Sequence, residues 1–165
     1  MPLVLFSYLN PVLAAGEDAL ERAADAGISG ILITDLPVGS DSAREAWLSD
    51  GPLSFIRLVA PTTPRERMME IAKHGSGFVY LISRLGVTGA GEGSPDGLRE
   101  TVLRLRSTTT LPICVGFGIS TPAQARDVGS IADGVVVGSA LVTAAAESPQ
   151  AVSRLTKSLR AALDS

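Results

Sequence analysis

Residues 111–140 read LPICVGFGISTPAQARDVGSIADGVVVGSA. Two apolar runs, one from Leu111 and one from Asp133, each end on glycine and a hydroxyl residue, and a helical pattern lies between them. Apolar runs that do not alternate with polar residues belong to parallel strands covered on both faces. Thr121-Pro122-Ala123-Gln124 places a hydroxyl, then proline at the first helical position, then an amide three residues on, which is the order of a capping box. The stretch therefore reads as strand, glycine loop, helix, strand, glycine loop.

Working outward, the same unit recurs. Further runs begin near Leu3 (LVLFSY), Gly30 (GILITDLP), Leu53 (LSFIRLVAP) and Gly77 (GFVYLIS), six runs in all. Their starts lie on average about 26 residues apart, room for a strand and a crossover helix. Thr63-Pro64-Arg65-Glu66 repeats the capping-box signal. Ala19, Leu20, Ala23 and Ala24 form an apolar stripe that stops at Gly27, and Val152, Leu155, Leu159 and Leu163 form another after Ser148-Pro149. Six consecutive βα units suit either an open doubly wound sheet or part of an eight-unit barrel. A doubly wound fold usually shows a Gly-rich fingerprint after its first strand, but here that strand leads into SYLNP. The phosphate-type loops follow the last two strands instead, as barrels frequently arrange them. The expectation is an α/β fold of the TIM (β/α)8 type, in one domain over residues 1–165. A complete barrel needs about 250 residues, so this one is expected to be truncated to about six units.

Composition narrows the function. The chain has 165 residues, 45% hydrophobic and 19% charged, with a mean hydropathy of +0.30. That is apolar enough for a substantial core and excludes disorder. The net charge of -3 is spread without basic clusters, so nucleic acid is not an expected partner. No apolar run approaches the roughly 20 residues of a membrane helix. With no signal-peptide pattern and a single cysteine, Cys114, a soluble protein of a reducing, cytoplasmic compartment is expected.

Several residues could carry chemistry. Val115–Ser120 (VGFGIS) and Gly138-Ser139 each close a strand and open a helix. Glycines there admit a close ligand, and amides at a helix start suit phosphate oxygens. The bland reading is that each glycine merely permits tight strand-to-helix packing. Arg84–Gly93 (RLGVTGAGEG) holds four glycines in ten residues, a candidate lid with Thr88 as its polar contact, or simply a Gly-rich connection. Asp35, at a strand end, could act as an acid or base, or could hold a neighbouring loop by accepting backbone hydrogen bonds. The supporting role is the favoured one. Tyr8, Tyr80 and Phe117 near strand ends suggest an apolar slot for a flat ligand, against core packing as the default for each. His74, beside Gly75, reads as a helix-end residue, and Cys114 as a small core side chain. No metal-ligand spacing and no Ser-His-Asp set is present.

FSYLNPVL, ITDLPV, LVAPTTPRERM, GFVYLISRLGVTGA, VGFGIS and ADGVVVGSALV, in this order, closely resemble the tryptophan synthase alpha subunit over essentially all 165 residues. The resemblance implies a (β/α)8 barrel that cleaves indole-3-glycerol phosphate to indole and glyceraldehyde 3-phosphate, with this chain matching strands three to eight. It implies a beta-subunit partner that holds pyridoxal phosphate, and no cofactor in this chain. Gly89, Gly118, Gly138 and Ser139 match the family's substrate-phosphate positions. Tyr80 and Phe117 match positions near the indole pocket, Tyr8 the strand beside it, and Thr88 the closing lid. Asp35 matches a supporting aspartate. The family's two principal catalytic carboxylates lie on the first two βα units, which have no counterpart here. The retro-aldol step needs an acid at the indole carbon bearing the glycerol chain and a base for the glycerol hydroxyl proton. The chain alone is therefore expected to be inactive. The alternative is a non-catalytic barrel fragment that binds phosphate or docks on a beta subunit.

Overall fold

A computed structural model describes residues 1–83, 95–116 and 118–164, with the side chains of Pro95 and Asp96 excepted. The chain divides into two compact units, one of Met1–Val59, Thr63–Val79 and Thr108–Leu111, the other of Ala60–Thr62, Tyr80–Ser107 and Pro112–Ser165.

The first unit runs β1 (Leu3–Ser7), α1 (Leu9–Ala14), α2 (Ala19–Asp25), β2 (Ile28–Ile33), α3 (Ser42–Asp50), β3 (Ser54–Val59) and α4 (Arg65–Lys73). The strands lie in the order β1-β2-β3, with both neighbouring pairs parallel. Parallel pairing requires a crossover of a dozen residues or more, and the helices supply it. The β2 side chains Ile31 and Ile33 pack with Phe55 of β3 and with Val12, Leu20, Leu36, Leu48 and Leu53 in one buried cluster. Each fully buried leucine or isoleucine there contributes about 1.5–3 kcal/mol. The stripe Ala19, Leu20, Ala23 and Ala24 lies on α2, with Leu20 buried and the three alanines packed on the same cluster. Gly27, at φ 91°, makes the left-handed turn from α2 into β2 that a side chain would resist.

Two expectations fail here. β1 is not covered on both faces, since Leu3 is 46% and Phe6 59% exposed. Among the described residues β2 is its only strand partner, so no described strand pairs with its other edge. The Thr63 capping box is also absent. Pro64 itself occupies the cap position, with no side-chain cap, and its carbonyl accepts the first helical bond, from the Met68 amide at 2.9 Å. The helix begins one residue later than the motif suggests, and Thr63 stands one residue too early to cap it.

The second unit holds β4 (Val79–Ile82) from Tyr80 onward, α5 (Pro95–Arg106), β5 (Ile113–Gly116), α6 (Pro122–Gly129), β6 (Gly134–Val136), α7 (Ser139–Glu147) and α8 (Pro149–Leu163). The order is β4-β5-β6, and β5 and β6 pair in parallel from Cys114 opposite Gly134 to Gly116 opposite Val136. Leu81, Leu98, Val102, Leu105, Ile113, Val115, Ile119 and Val128 are buried in this unit. The expected helix after Ser148-Pro149 is α8. Ser148 caps it by accepting from the Ala151 amide. Leu159 is buried, together with Ala151 and Ala162, which widen the predicted stripe.

Candidate functional site

The two glycine loops of the second unit belong to the same kind of strand-to-helix turn, but their physical chemistry differs. After β5 the chain passes Gly118, at φ 79°, a conformation L side chains rarely adopt, so backbone geometry alone requires this glycine. Ser120 and Thr121 then lead into α6 through a complete capping box. The Thr121 hydroxyl accepts from the Gln124 amide at 3.3 Å. The Gln124 side-chain oxygen in turn accepts from the Ser120 amide at 2.9 Å and the Thr121 amide at 3.1 Å. The amides of Ser120, Thr121 and Gln124 are thus already engaged by the Gln124 and Thr121 side chains.

After β6 the situation is reversed. Gly138 is the N-cap of α7, no side chain among the described residues caps the helix, and its first turn contains no acid. The Gly138 carbonyl accepts from Leu141 and Val142 at 2.9 and 3.1 Å. The amides of Ser139 and Ala140 stand at the positive end of the helix dipole with no capping side chain. A Cβ built on Gly138 would meet nothing within 4 Å. The packing explanation therefore fails for Gly138, and what its missing side chain leaves is open space in front of uncapped amides. Gly116 is the opposite case: a Cβ there would run into the Tyr80 hydroxyl and stand 3.0 Å from Val136 Cβ. Ser120 and Ser139 line one open pocket of about 470 Å³, together with Ala140, Thr143, Ala144, Glu147 and Leu155. An arrangement of exposed hydroxyls and uncapped amides can receive the oxygens of an anion by hydrogen bonding at a helix N-terminus.

Tyr80, on β4, is buried, and burial pushes its hydroxyl pKa up. Its ring stands against Gly116, and nearby the Ser83 amide donates to the Gly116 carbonyl at 2.7 Å. Cys114 of β5 is half-buried, not fully buried, and its thiol pKa is raised first by burial and then by Asp133. Gly89, Thr88 and Phe117 lie outside the described residues.

Asp35 and Tyr8 belong to the first unit. Tyr8 is 63% exposed and is the N-cap of α1 without capping it. The first amide of that helix, Leu9, instead donates to Asp35 Oδ1 at 2.8 Å. His74 closes α4 as its C-cap, and its carbonyl accepts from Arg57 Nε at 3.0 Å. Among the described residues no group of three His, Cys, Asp or Glu side chains is placed to hold a metal ion, and no helix is long and apolar enough to cross a membrane.

The residues that sequence reading missed are Arg57 and Glu45. Both are buried, and Arg57 Nη2 donates to Glu45 Oε2 at 2.7 Å. A signal was present, since Arg57 interrupts the otherwise apolar run LSFIRLVAP.

Comparison with known proteins adds a second line. The family model for the tryptophan synthase alpha chain matches residues 1–164. A tryptophan synthase alpha chain of Gloeobacter violaceus is 50% identical over 143 residues, 86% of this chain and 52% of that protein. One of Opitutus terrae is 45% identical over 163 residues, 98% of this chain and 61% of that protein. A structure of Mycobacterium tuberculosis tryptophan synthase is 38% identical with a TM-score of 0.85, covering 98% of this chain and 62% of that one. The chain thus spans between about half and three-fifths of the length of these relatives.

Proposed function

This chain belongs to the tryptophan synthase alpha chain family, and we propose that its residues form the phosphate-holding part of an enzyme that cleaves indole-3-glycerol phosphate to indole and glyceraldehyde 3-phosphate. The 165 residues would be one partial barrel domain of the (β/α)8 type. The observation that carries the reading is the start of α7, where Gly138 leaves open space before uncapped amides and the Ser139 hydroxyl stands beside them. A dianionic phosphate there would accept from those donors and complement the helix dipole. Gly118 and Gly89 complete the proposed phosphate loops, and Tyr8, Tyr80 and Phe117 the slot for the indole ring. Thr88 is assigned to the lid. A beta subunit is the proposed partner and would hold pyridoxal phosphate; the proposed compartment is the cytoplasm.

In the proposed reaction a base takes the proton of the glycerol hydroxyl and the carbon–carbon bond breaks to give the aldehyde. Its electron pair returns to the indole ring, whose carbon is protonated by an acid. Asp35 is assigned a supporting role, because its carboxylate already accepts from the Leu9 amide. Within these residues no second carboxylate accompanies Asp35 on a matched loop, and a general acid or base contributes about 10²–10⁴-fold. Indole release by the 165-residue chain, with or without a beta subunit, is expected at background. Robust turnover would instead put Asp35 in a direct proton-transfer role. The same observation on Asp35 favours, as a second reading, a non-catalytic module that binds phosphate or docks on a beta subunit. Titration with sn-glycerol 3-phosphate tests phosphate binding, and its absence would sink the first reading and leave of the second only docking on a beta subunit.

A further inference from the structure

An arginine buried in the middle of a parallel strand is costly, because its charge must be compensated on every side. Arg57 of β3 meets that requirement in a particular way. Its guanidinium donates to Glu45 Oε2 of α3 at 2.7 Å, to the Leu36 carbonyl at 3.2 Å and to the His74 carbonyl at 3.0 Å. It also lies 3.8 Å from the centroid of the Phe55 ring. The other oxygen of Glu45 accepts from the Gly39 amide at 2.7 Å, and Arg67 donates to the Val38 carbonyl at 2.5 Å. Three of these bonds, on Leu36, Val38 and Gly39, fall in the loop that joins β2 to α3. Asp35 is the second residue of that loop.

Asp35 in turn reaches across 26 residues to the Leu9 amide. The first amide of a helix has no partner within the helix, and Tyr8 offers it none. Asp35 thus caps α1 from a distance, and it can do so only while its loop keeps its place.

We propose that the buried Arg57–Glu45 pair is a positioning device, fixing the loop after β2 so that the Asp35 carboxylate stands against the start of α1. Arg57 and Glu45 touch no proposed ligand; they act through Leu36 and Gly39 on Asp35. The inference rests on the functional reading only for the importance of Asp35, and its test reads the two separately.

The Leu9 amide is the reporter, followed by proton–nitrogen NMR. Asp35→Asn defines its resonance when the charged partner is lost. Glu45→Gln keeps the volume of the side chain but removes the charge that Arg57 needs. The double variant Glu45→Leu with Arg57→Met replaces the pair by apolar groups of similar size, a change that often preserves stability. In both, the Leu9 resonance is expected to move at least half of the way to its Asp35→Asn position and its solvent exchange to quicken severalfold. Binding of sn-glycerol 3-phosphate, which belongs to α7, is expected to stay within twofold of the parent. An unmoved Leu9 amide in either folded variant would overturn the proposal. Unfolding of both would also overturn it, by showing that the pair serves the fold as a whole. Loss of phosphate binding in the unsubstituted chain would count against the functional reading and leave the Leu9 result standing.

Discussion

Gly138→Val separates binding from stability, because the space in front of Gly138 is empty. Its φ of -112° lies outside the left-handed region, and a Cβ there would meet nothing within 4 Å, so the first carbon of the new side chain is not overpacked. Replacing glycine by an aliphatic residue at an N-cap costs about 1 kcal/mol. The change in stability should therefore stay within about 1 kcal/mol. The valine methyls, however, would occupy the volume in which phosphate oxygens approach the Ser139 and Ala140 amides. Affinity for sn-glycerol 3-phosphate should fall at least tenfold, about 1.4 kcal/mol or more. Ser139→Ala should remove one hydrogen bond to a charged group, about 1.5–3 kcal/mol, and leave the fold intact. Isothermal titration calorimetry measures the affinity, and a thermal melt of each variant checks that it is folded. Unchanged affinity in a folded Gly138→Val chain would refute the argument that this open space is a phosphate seat.

Gly116→Ala reverses that pattern: its methyl would collide with the Tyr80 hydroxyl, and a loss of about 1–3 kcal/mol in urea unfolding is expected from overpacking. Glu45→Ala leaves the Arg57 charge buried without its partner and should cost about 3–5 kcal/mol, read from the same denaturation curves. The Asp133 carboxyl is held below its ordinary value near 3.8 by the Ile113 amide and then by Arg106. Its folded pKa therefore lies below its unfolded one, so its contribution is complete above the unfolded value and is lost as pH falls through the folded value. Asp133→Asn should flatten that acid limb in a series of melts, and an unaltered limb would show that the contribution lies elsewhere.

Five of the six apolar runs contain their whole strand, because a strand packed under crossover helices writes its burial directly into consecutive residues. Ile28 shows the limit of that signal: β2 starts there, two residues before the run at Gly30, where Ser29 interrupts the apolar pattern. Thr121 and Thr63 carry the same local motif, yet only Thr121 caps a helix. A shift of one residue in the helix start decides the matter, and packing sets that start. The Arg57–Glu45 and Asp35–Leu9 contacts were illegible for a stronger reason. Each joins residues 12 and 26 positions apart, and no periodicity or spacing encodes which carboxylate a folded chain will bring to which donor.

The glycines of the candidate site make the same point about function. In sequence, Gly116, Gly118 and Gly138 are three small residues in two similar loops. In the folded chain one yields to Tyr80 and Val136, one adopts a left-handed backbone, and one faces open space. The third has no neighbour within 4 Å of its missing Cβ. A glycine with open space before it, placed ahead of the amides that start α7, is where a ligand has most to contribute. The self-capped start of α6, with Gln124 already on its donors, would have to exchange an internal bond for one to phosphate. Of the two glycine loops, the one at α7 is therefore expected to supply the larger share of the binding energy.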